Sequence, residues 1–281
     1  VVPPRESLHG RARPVERRMD TMSPNPAERG SKVPEITLAF WAVKIGATTL
    51  GETAGDAVSM TMRLGYAAAT LVFFACFAVA ATAQIRARAF HPFLYWAAIV
   101  TTTTVGTTMA DFADRSLGIG YIGGSLLLLT ILVAVLALWR WSAGSISVSV
   151  ITSPRVEAFY WLTILASNTL GTALGDFTAD DTGMDLGYEG GALLFGAMLA
   201  VLAALHFWTS LSRTLLFWTA FILTRPLGAT VGDLLTKPHA DGGLELGRIV
   251  SSLIIAGLIV GSLWLLPQRA GSHGGDPVGT G

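Results

Sequence analysis

One pattern recurs four times along this chain with invariant spacing. An aromatic residue precedes a Trp, a Gly follows ten residues later, and an Asp five residues after that. The copies are Phe40-Trp41…Gly51…Asp56, Tyr95-Trp96…Gly106…Asp111, Tyr160-Trp161…Gly171…Asp176 and Phe217-Trp218…Gly228…Asp233. Gly, or Ala110 in the second copy, stands before each Asp. A short polar loop follows each copy and leads to a second signature: Leu64-Gly65-Tyr66, Ile119-Gly120-Tyr121, Leu186-Gly187-Tyr188 and Leu246-Gly247-Arg248. Each copy and each second signature adjoins a long apolar run. The unit is therefore helix, loop, helix, roughly 55 to 65 residues long. Such self-similarity constrains the architecture before any local reading does.

The apolar runs place the unit in a membrane. The chain is 52% hydrophobic and 14% charged, against about 25% charged in soluble domains, with mean hydropathy +0.56. Runs of about 20 residues suffice for the ~30 Å hydrocarbon core. The expected spans are 36–59, 64–84, 91–112, 118–140, 157–178, 187–208, 213–235 and 244–266. Two spans per unit give all units one orientation. The fold class read from this is an all-α integral membrane protein of eight transmembrane helices, arranged as four parallel two-helix repeats with pseudo-symmetry about the membrane normal. The repeats cover 36–89, 90–155, 156–212 and 213–266 of a membrane domain at 35–267. A basic arm (1–34) and a Gly-rich tail (268–281) are expected to be disordered. The arm lacks the apolar core of a signal peptide. Val1 in place of Met is read either as an alternative start codon or as an over-extended gene model, with Met19 and Met22 as candidate true starts. The single Cys76 excludes an intramolecular disulfide and is read as a small hydrophobe.

Basic residues set the expected orientation. Arg86, Arg88, Arg140, Arg155 and Arg213 lie between repeats, on the side of the arm (Arg11, Arg13, Arg17, Arg18, Arg29, Lys32) and of Arg269. The loops within repeats hold Arg63, Arg115, Lys237 and Arg248, diluted by Asp114, Asp180, Asp181, Asp185 and Asp241. The bias puts both termini in the cytoplasm of a bacterial inner membrane. The motif Trp residues are then read as interfacial anchors. Each Asp lies ~22 Å further along the axis, towards the outer face.

An Asp at this depth is expensive and marks a functional site. Residues four and eight before it share its helix face. These are Glu52 and Thr48, Thr107 and Thr103, Thr172 and Asn168, and Ala229 and Arg225. The odd helices thus carry polar stripes and form an inner bundle; the even helices form a lipid-facing layer. Glu52, Asp56, Asp111, Asp176 and Asp233 oppose only Lys44 and Arg225 on the odd helices. That excess, with Thr48, Thr107, Asn168, Thr172 and Arg225 beside it, suggests a pathway for a hard cation such as Mg²⁺, Mn²⁺ or Ca²⁺, or a proton, held by the five carboxylates. Close carboxylates cannot all stay ionised without a counter-charge, so cation binding should displace protons.

The same residues have a structural reading. Glycine pairs let helices approach closely, and Thr and Asn bond between helices. Lys44 is read as snorkelling to the cytoplasmic surface. Pro226 should kink its helix. No nucleophile–base pair, His-metal cluster or nucleotide loop is present, so an enzyme is not expected, nor a cofactor, nor a nucleic-acid partner. The expected partners are the bilayer and a small cation, in a homo-oligomer or a membrane complex. Two other functions stay open: a permease for a small organic solute, with Arg225 reading a negative group, and a non-transporting structural or accessory subunit.

The four Trp…Gly…Gly/Ala-Asp copies resemble a bacterial family of integral membrane proteins built from a repeat of unknown function, known as uncharacterised membrane-anchored proteins. The resemblance spans residues 36–266 and implies the fold but no activity. Glu52-Thr53-Ala54-Gly55-Asp56 is also loosely similar to a signature of cation/proton exchangers, from which it departs in its Glu-to-Asp spacing and in lacking a basic residue after the Asp.

Overall fold

The structure is a computed structural model, and it describes residues 32–148, 151, 153–266 and 268–271. Most of the basic arm and of the Gly-rich tail lies outside the described residues. Among the described residues eight α-helices run in sequence: α1 (Leu38–Asp56), α2 (Tyr66–Arg86), α3 (Pro92–Asp111), α4 (Tyr121–Ala143), α5 (Pro154–Ala179), α6 (Gly187–Trp208), α7 (Arg213–Thr236) and α8 (Arg248–Leu265). They fall on the eight apolar runs read from the sequence. The starts of the odd helices are encoded locally. Thr37, Ser153 and Ser212 accept the backbone N–H of Phe40, Val156 and Leu215, and Pro92 and Pro154 occupy the first turns of α3 and α5. α1 and α3 pass beyond Asp56 and Asp111 into π-helical turns, Ala57–Thr61 and Phe112–Ser116. Thus these two Asp residues sit where the helix changes winding.

The second signature is a turn. Gly65, Gly120, Gly187 and Gly247 all have positive φ, as do Arg63, Gly118, Asp185 and Glu245 two residues earlier. The same left-handed step thus recurs in every repeat. It is relaxed only in the second, where both positions are Gly.

α1, α3, α5 and α7 pack into a closed ring, each against the next and α7 back onto α1. The even helices lie outside. Each packs mainly against the odd helix of the following repeat: α2 on α3, α4 on α5, α6 on α7, and α8 on α1. No repeat buries its own apolar face alone, so the circle holds together as one unit.

The ring is drawn tight by one contact rule. The motif Gly of each odd helix meets the residue eight before the Asp on the next: Gly51 on Thr103, Gly106 on Asn168, Gly171 on Arg225 and Gly228 on Thr48. The Gly preceding the Asp meets the residue four before the next Asp: Gly55 on Thr107, Gly175 on Ala229 and Gly232 on Glu52. A Cβ on Gly228 would lie 2.2 Å from Thr48 Oγ1 and 2.8 Å from the Thr48 carbonyl carbon. Hydrogen bonds follow the same register. Thr48 Oγ1 donates to Thr224 O at 3.1 Å, Thr103 Oγ1 to Ala47 O at 3.1 Å, and Asn168 Nδ2 to Thr102 Oγ1 at 2.8 Å. Ser252 on α8 donates to Thr53 on α1 at 2.8 Å, seating the outer helix that closes the circle.

The aromatic pairs close one end of the ring. Each residue before a Trp touches the Trp of the next repeat: Phe40–Trp96 at 5.5 Å, Tyr95–Trp161 at 5.7 Å, Tyr160–Trp218 at 6.1 Å and Phe217–Trp41 at 5.8 Å between centroids. The Tyr95 and Tyr160 hydroxyls share a hydrogen bond of 2.6 Å. This corrects the reading of the Trp residues as interfacial anchors. Trp96, Trp161 and Trp218 are buried core residues and only Trp41 is half-buried. They face inward because ring-to-ring contact between neighbouring repeats takes the face that an anchor would turn to lipid.

The outward sides of the even helices are apolar and bare. Leu71, Val79, Leu193, Leu253 and Leu258 are mostly exposed, a run of bare apolar side chains that marks a membrane or protein contact. Five helices, α2, α4, α6, α7 and α8, are long and apolar enough to cross a membrane. The inner edges of the two tails pack onto the aromatic end. Lys32 pairs with Glu157 at 2.7 Å and donates to Ile85 O at 2.8 Å, and Pro34 pairs with Ala270 in a short bridge. Lys32 to Pro34 and Gln268 to Gly271 therefore belong to the packed body.

The close contacts generate a prediction. Gly228→Ala sets a methyl against Thr48 backbone that cannot move aside, and should destabilise by about 1–3 kcal/mol. Gly261→Ala on α8, where a Cβ meets open space, should be neutral. Thermal midpoints of the two purified variants in detergent compare them.

Candidate functional site

The inner faces of the ring carry residues at intervals of four. On α1 these are Lys44, Thr48, Glu52 and Asp56; on α7, Phe221, Arg225, Ala229 and Asp233, continuing to Lys237. The spacing puts each series on one helix face, and ring closure brings the two faces together. All five carboxylates of the motif are buried. Burial of this kind is tolerated only with partners.

The Asp layer is partnered by bases from the hairpins. Lys237 Nζ lies 3.2 Å from Asp56 Oδ2 and 3.1 Å from Asp233 Oδ1, bridging α1 and α7. Arg248 Nε, at the start of α8, lies 3.3 Å from the same Asp56 oxygen. Arg115 Nε pairs with Asp111 Oδ1 at 2.9 Å, one turn away. Asp176 differs: its Oδ2 is buried without a hydrogen-bond partner among the described residues, with Arg115 and Lys237 acting on it through space. Four carboxylates thus face three bases. Glu52, Asp56 and Asp233 bring carboxylate oxygens within 4.8 Å of one another. Burial alone would favour neutral Lys237. Asp233 and Asp56 outweigh it and hold its ammonium well above the ordinary lysine range.

One turn towards the aromatic end, Arg225 fills the centre of the ring. Its Nη2, with two N–H bonds to share, lies 2.9 Å from Glu52 Oε2, 2.7 Å from Thr172 Oγ1 and within reach of Thr107 Oγ1. Four helices thus meet on one guanidinium. Below it, Lys44 is fully buried, its ammonium 4.1 Å from the Phe221 ring centroid. This corrects the reading of Lys44 as a snorkelling side chain. It lies twelve residues before Asp56 on the same stripe and points to the axis, where no surface is in reach.

The sequence-derived residues therefore sort into three groups. Glu52, Thr107, Thr172 and Arg225 form one hydrogen-bonded cluster. Asp56 and Asp233 share Lys237, while Asp111 and Asp176 complete their layer. Thr48 and Asn168 spend hydrogen bonds joining helices. The excess of carboxylates read from the odd helices alone shrinks, because Lys237, Arg248 and Arg115 enter from the loops. Extending the four-residue stripe past each Asp finds Arg115 and Lys237, and extending it backwards finds Lys44. Arg248 occupies the place of Tyr66, Tyr121 and Tyr188 in the other repeats, and its departure from that pattern was the available signal.

These features define a class: an all-helical, four-repeat bundle with several membrane-competent helices around a buried, ion-paired core. The family model for a Repeat of Unknown Function (DUF347) matches the chain four times, over residues 39–90, 94–145, 159–212 and 216–269. The chain belongs to that family. No curated protein and no solved structure matches it.

Lys237→Met should destabilise the protein by roughly 3–5 kcal/mol at pH 8, because Asp56 and Asp233 lose their shared counter-charge. The raised value of Lys237 means that the wild-type pairing persists above about 10.4, the ordinary lysine value, and is lost only as pH rises through the elevated one. At acid pH the gap between the two proteins should narrow as the carboxylates take up protons. Midpoints recorded across pH check both signs.

Proposed function

We propose that this protein is a polytopic inner-membrane transporter of a small hard cation, with protons competing for the same carboxylates. All eight helices cross the bilayer in this reading, as parallel repeats about the membrane normal, with both termini cytoplasmic. The carrying observation is the convergence of Glu52, Asp56 and Asp233 on one buried locus with the Lys237 ammonium between the two aspartates. Such a locus is built for positive charge, and a tethered lysine can be exchanged for a free cation. Lys237 ends α7 and Arg248 begins α8, on either side of one hairpin. Movement of that hairpin would withdraw both bases from Asp56 together and open the oxygens to a hard ion. A closed, largely compensated core also suits one of the alternatives, a non-transporting structural or accessory subunit.

Ion flux in proteoliposomes separates the two readings. Asp56→Asn and Asp233→Asn should each lower flux at least tenfold, and Asp56→Asn more than Glu52→Gln. If all four Asp→Asn variants carried cations as the wild type does, the carboxylates would be structural and the accessory role would stand. Reporter fusions at the C-terminus should be active on the cytoplasmic side only; activity outside would overturn the topology.

A further inference from the structure

Beyond the carboxylate layer, a second group of polar atoms is left over inside the ring. Lys44 Nζ, Arg225 Nε and Nη1, Ser167 Oγ and Asn168 Oδ1 are buried and have no hydrogen-bond partner among the described residues. They are not scattered. Counted back from the Asp of their own repeats, they stand eight, nine and twelve residues away, so they occupy adjoining layers of one bundle. Phe221, under the Lys44 ammonium, and Arg225 are one turn apart on α7, about 5–6 Å along the helix face. Ser167 and Asn168 lie on α5, which meets α7 where Gly171 lets Arg225 pass: a Cβ there would lie 2.4 Å from Arg225 Cγ. The two cations are within electrostatic range of each other.

Chemistry and charge both describe what is missing. The unpartnered atoms are mostly donors: an ammonium, two guanidinium nitrogens and a hydroxyl, with the Asn168 oxygen the one pure acceptor. Lys44 and Arg225 bring two positive charges, and Glu52, paired with Arg225 at 2.9 Å, brings one negative charge. Arg225 and Glu52 cancel, so a protonated Lys44 would leave one positive charge over, which a bound anion would offset. A buried charge without a counter-ion is strongly destabilising, and a cation–π contact offsets only part of that. Apolar side chains enclose the layer. Ile99, Ile164 and Phe221 form the apolar layer around Lys44, all fully buried, and the eight-residue aromatic closure lies beyond them.

We infer that the layer bounded by Lys44, Arg225, Ser167 and Asn168 is a binding site for a small monovalent anion, of the size of chloride or formate. The site is separate from the carboxylate layer and binds its ligand whether or not a cation is carried. Anion and cation loci would then lie on opposite sides of the Glu52–Arg225 pair, along one axis.

The test uses the purified full-length protein in detergent at constant ionic strength, with sodium chloride, sodium formate or sodium gluconate as the salt. Gluconate, a six-carbon polyhydroxy acid, is far larger than either of the other anions. The wild-type thermal midpoint should rise saturably with chloride and with formate, on the order of 2–4 °C above gluconate. Lys44→Met should abolish that rise, with a gluconate midpoint equal to or above the wild type because a buried, unpartnered amine is gone. Asn168→Asp supplies a built-in counter-charge; Thr102, which accepts from Asn168 Nδ2 in the wild type, turns its hydroxyl from Ile99 O to donate to the new carboxylate. It should raise the gluconate midpoint and remove the anion dependence, and it decides the matter alone if Lys44→Met does not accumulate. Equal wild-type midpoints in all three salts, or an undiminished chloride shift in either variant, would overturn the site. None of these readouts involves transport, so a failed flux assay leaves this result intact.

Discussion

Everything in this fold depends on how closely the four inner helices approach at their glycines. Gly51, Gly106, Gly171 and Gly228 remove the side chain that would hold neighbouring backbones apart. Each seats the residue eight before the Asp of the next helix. Because the rule repeats, the ring closes, and closure puts every four-residue stripe on a common axis. A polar side chain on that axis cannot reach water or lipid and must find partners in the other three helices. The hydrogen bonds from Thr48, Thr103 and Asn168 to the preceding helix are the neutral solution. Where the repeat supplies a charge instead, as at Arg225 and Glu52, the solution is an ion pair across the ring.

That frame is symmetric, but its charges are not. Asp56 is held by Lys237 and Arg248, Asp111 by Arg115, and Asp176 keeps an unpartnered oxygen. Lys44 has no counterpart among Ile99, Ile164 and Phe221. Acidic groups are in excess near the hairpins and a lone basic group, Lys44, lies near the aromatic closure, with the Glu52–Arg225 pair between them. A purely structural core gains nothing from this segregation, since apolar residues of similar size pack as well or better. The asymmetry is what argues for ligands.

Much of this was legible in the sequence. The invariant Trp-to-Gly-to-Asp spacing gave the number of repeats, the helical runs and the inner face of each odd helix, since period and apolar length are local properties. The contact order of the helices was not. Four equivalent units say nothing about whether α7 returns to α1, and only that return brings Lys237 to Asp56, 181 residues apart. In the sequence the hairpin bases mark only a side of the membrane, because their reach depends on loop geometry. Lys44 and the Trp residues were misplaced because general membrane tendencies were applied to positions that ring closure turns inward.

The central claim is that α7 closes on α1 through Arg225 and Glu52. A double-mutant cycle on Glu52→Gln and Arg225→Met tests it most directly, with the stability of the wild type, both single variants and the double variant measured in one detergent. The account predicts a double variant far less damaged than the two single losses summed, with a coupling on the order of 1–3 kcal/mol. Additivity within about 0.5 kcal/mol would mean that the two side chains do not meet, and would contradict the closed ring.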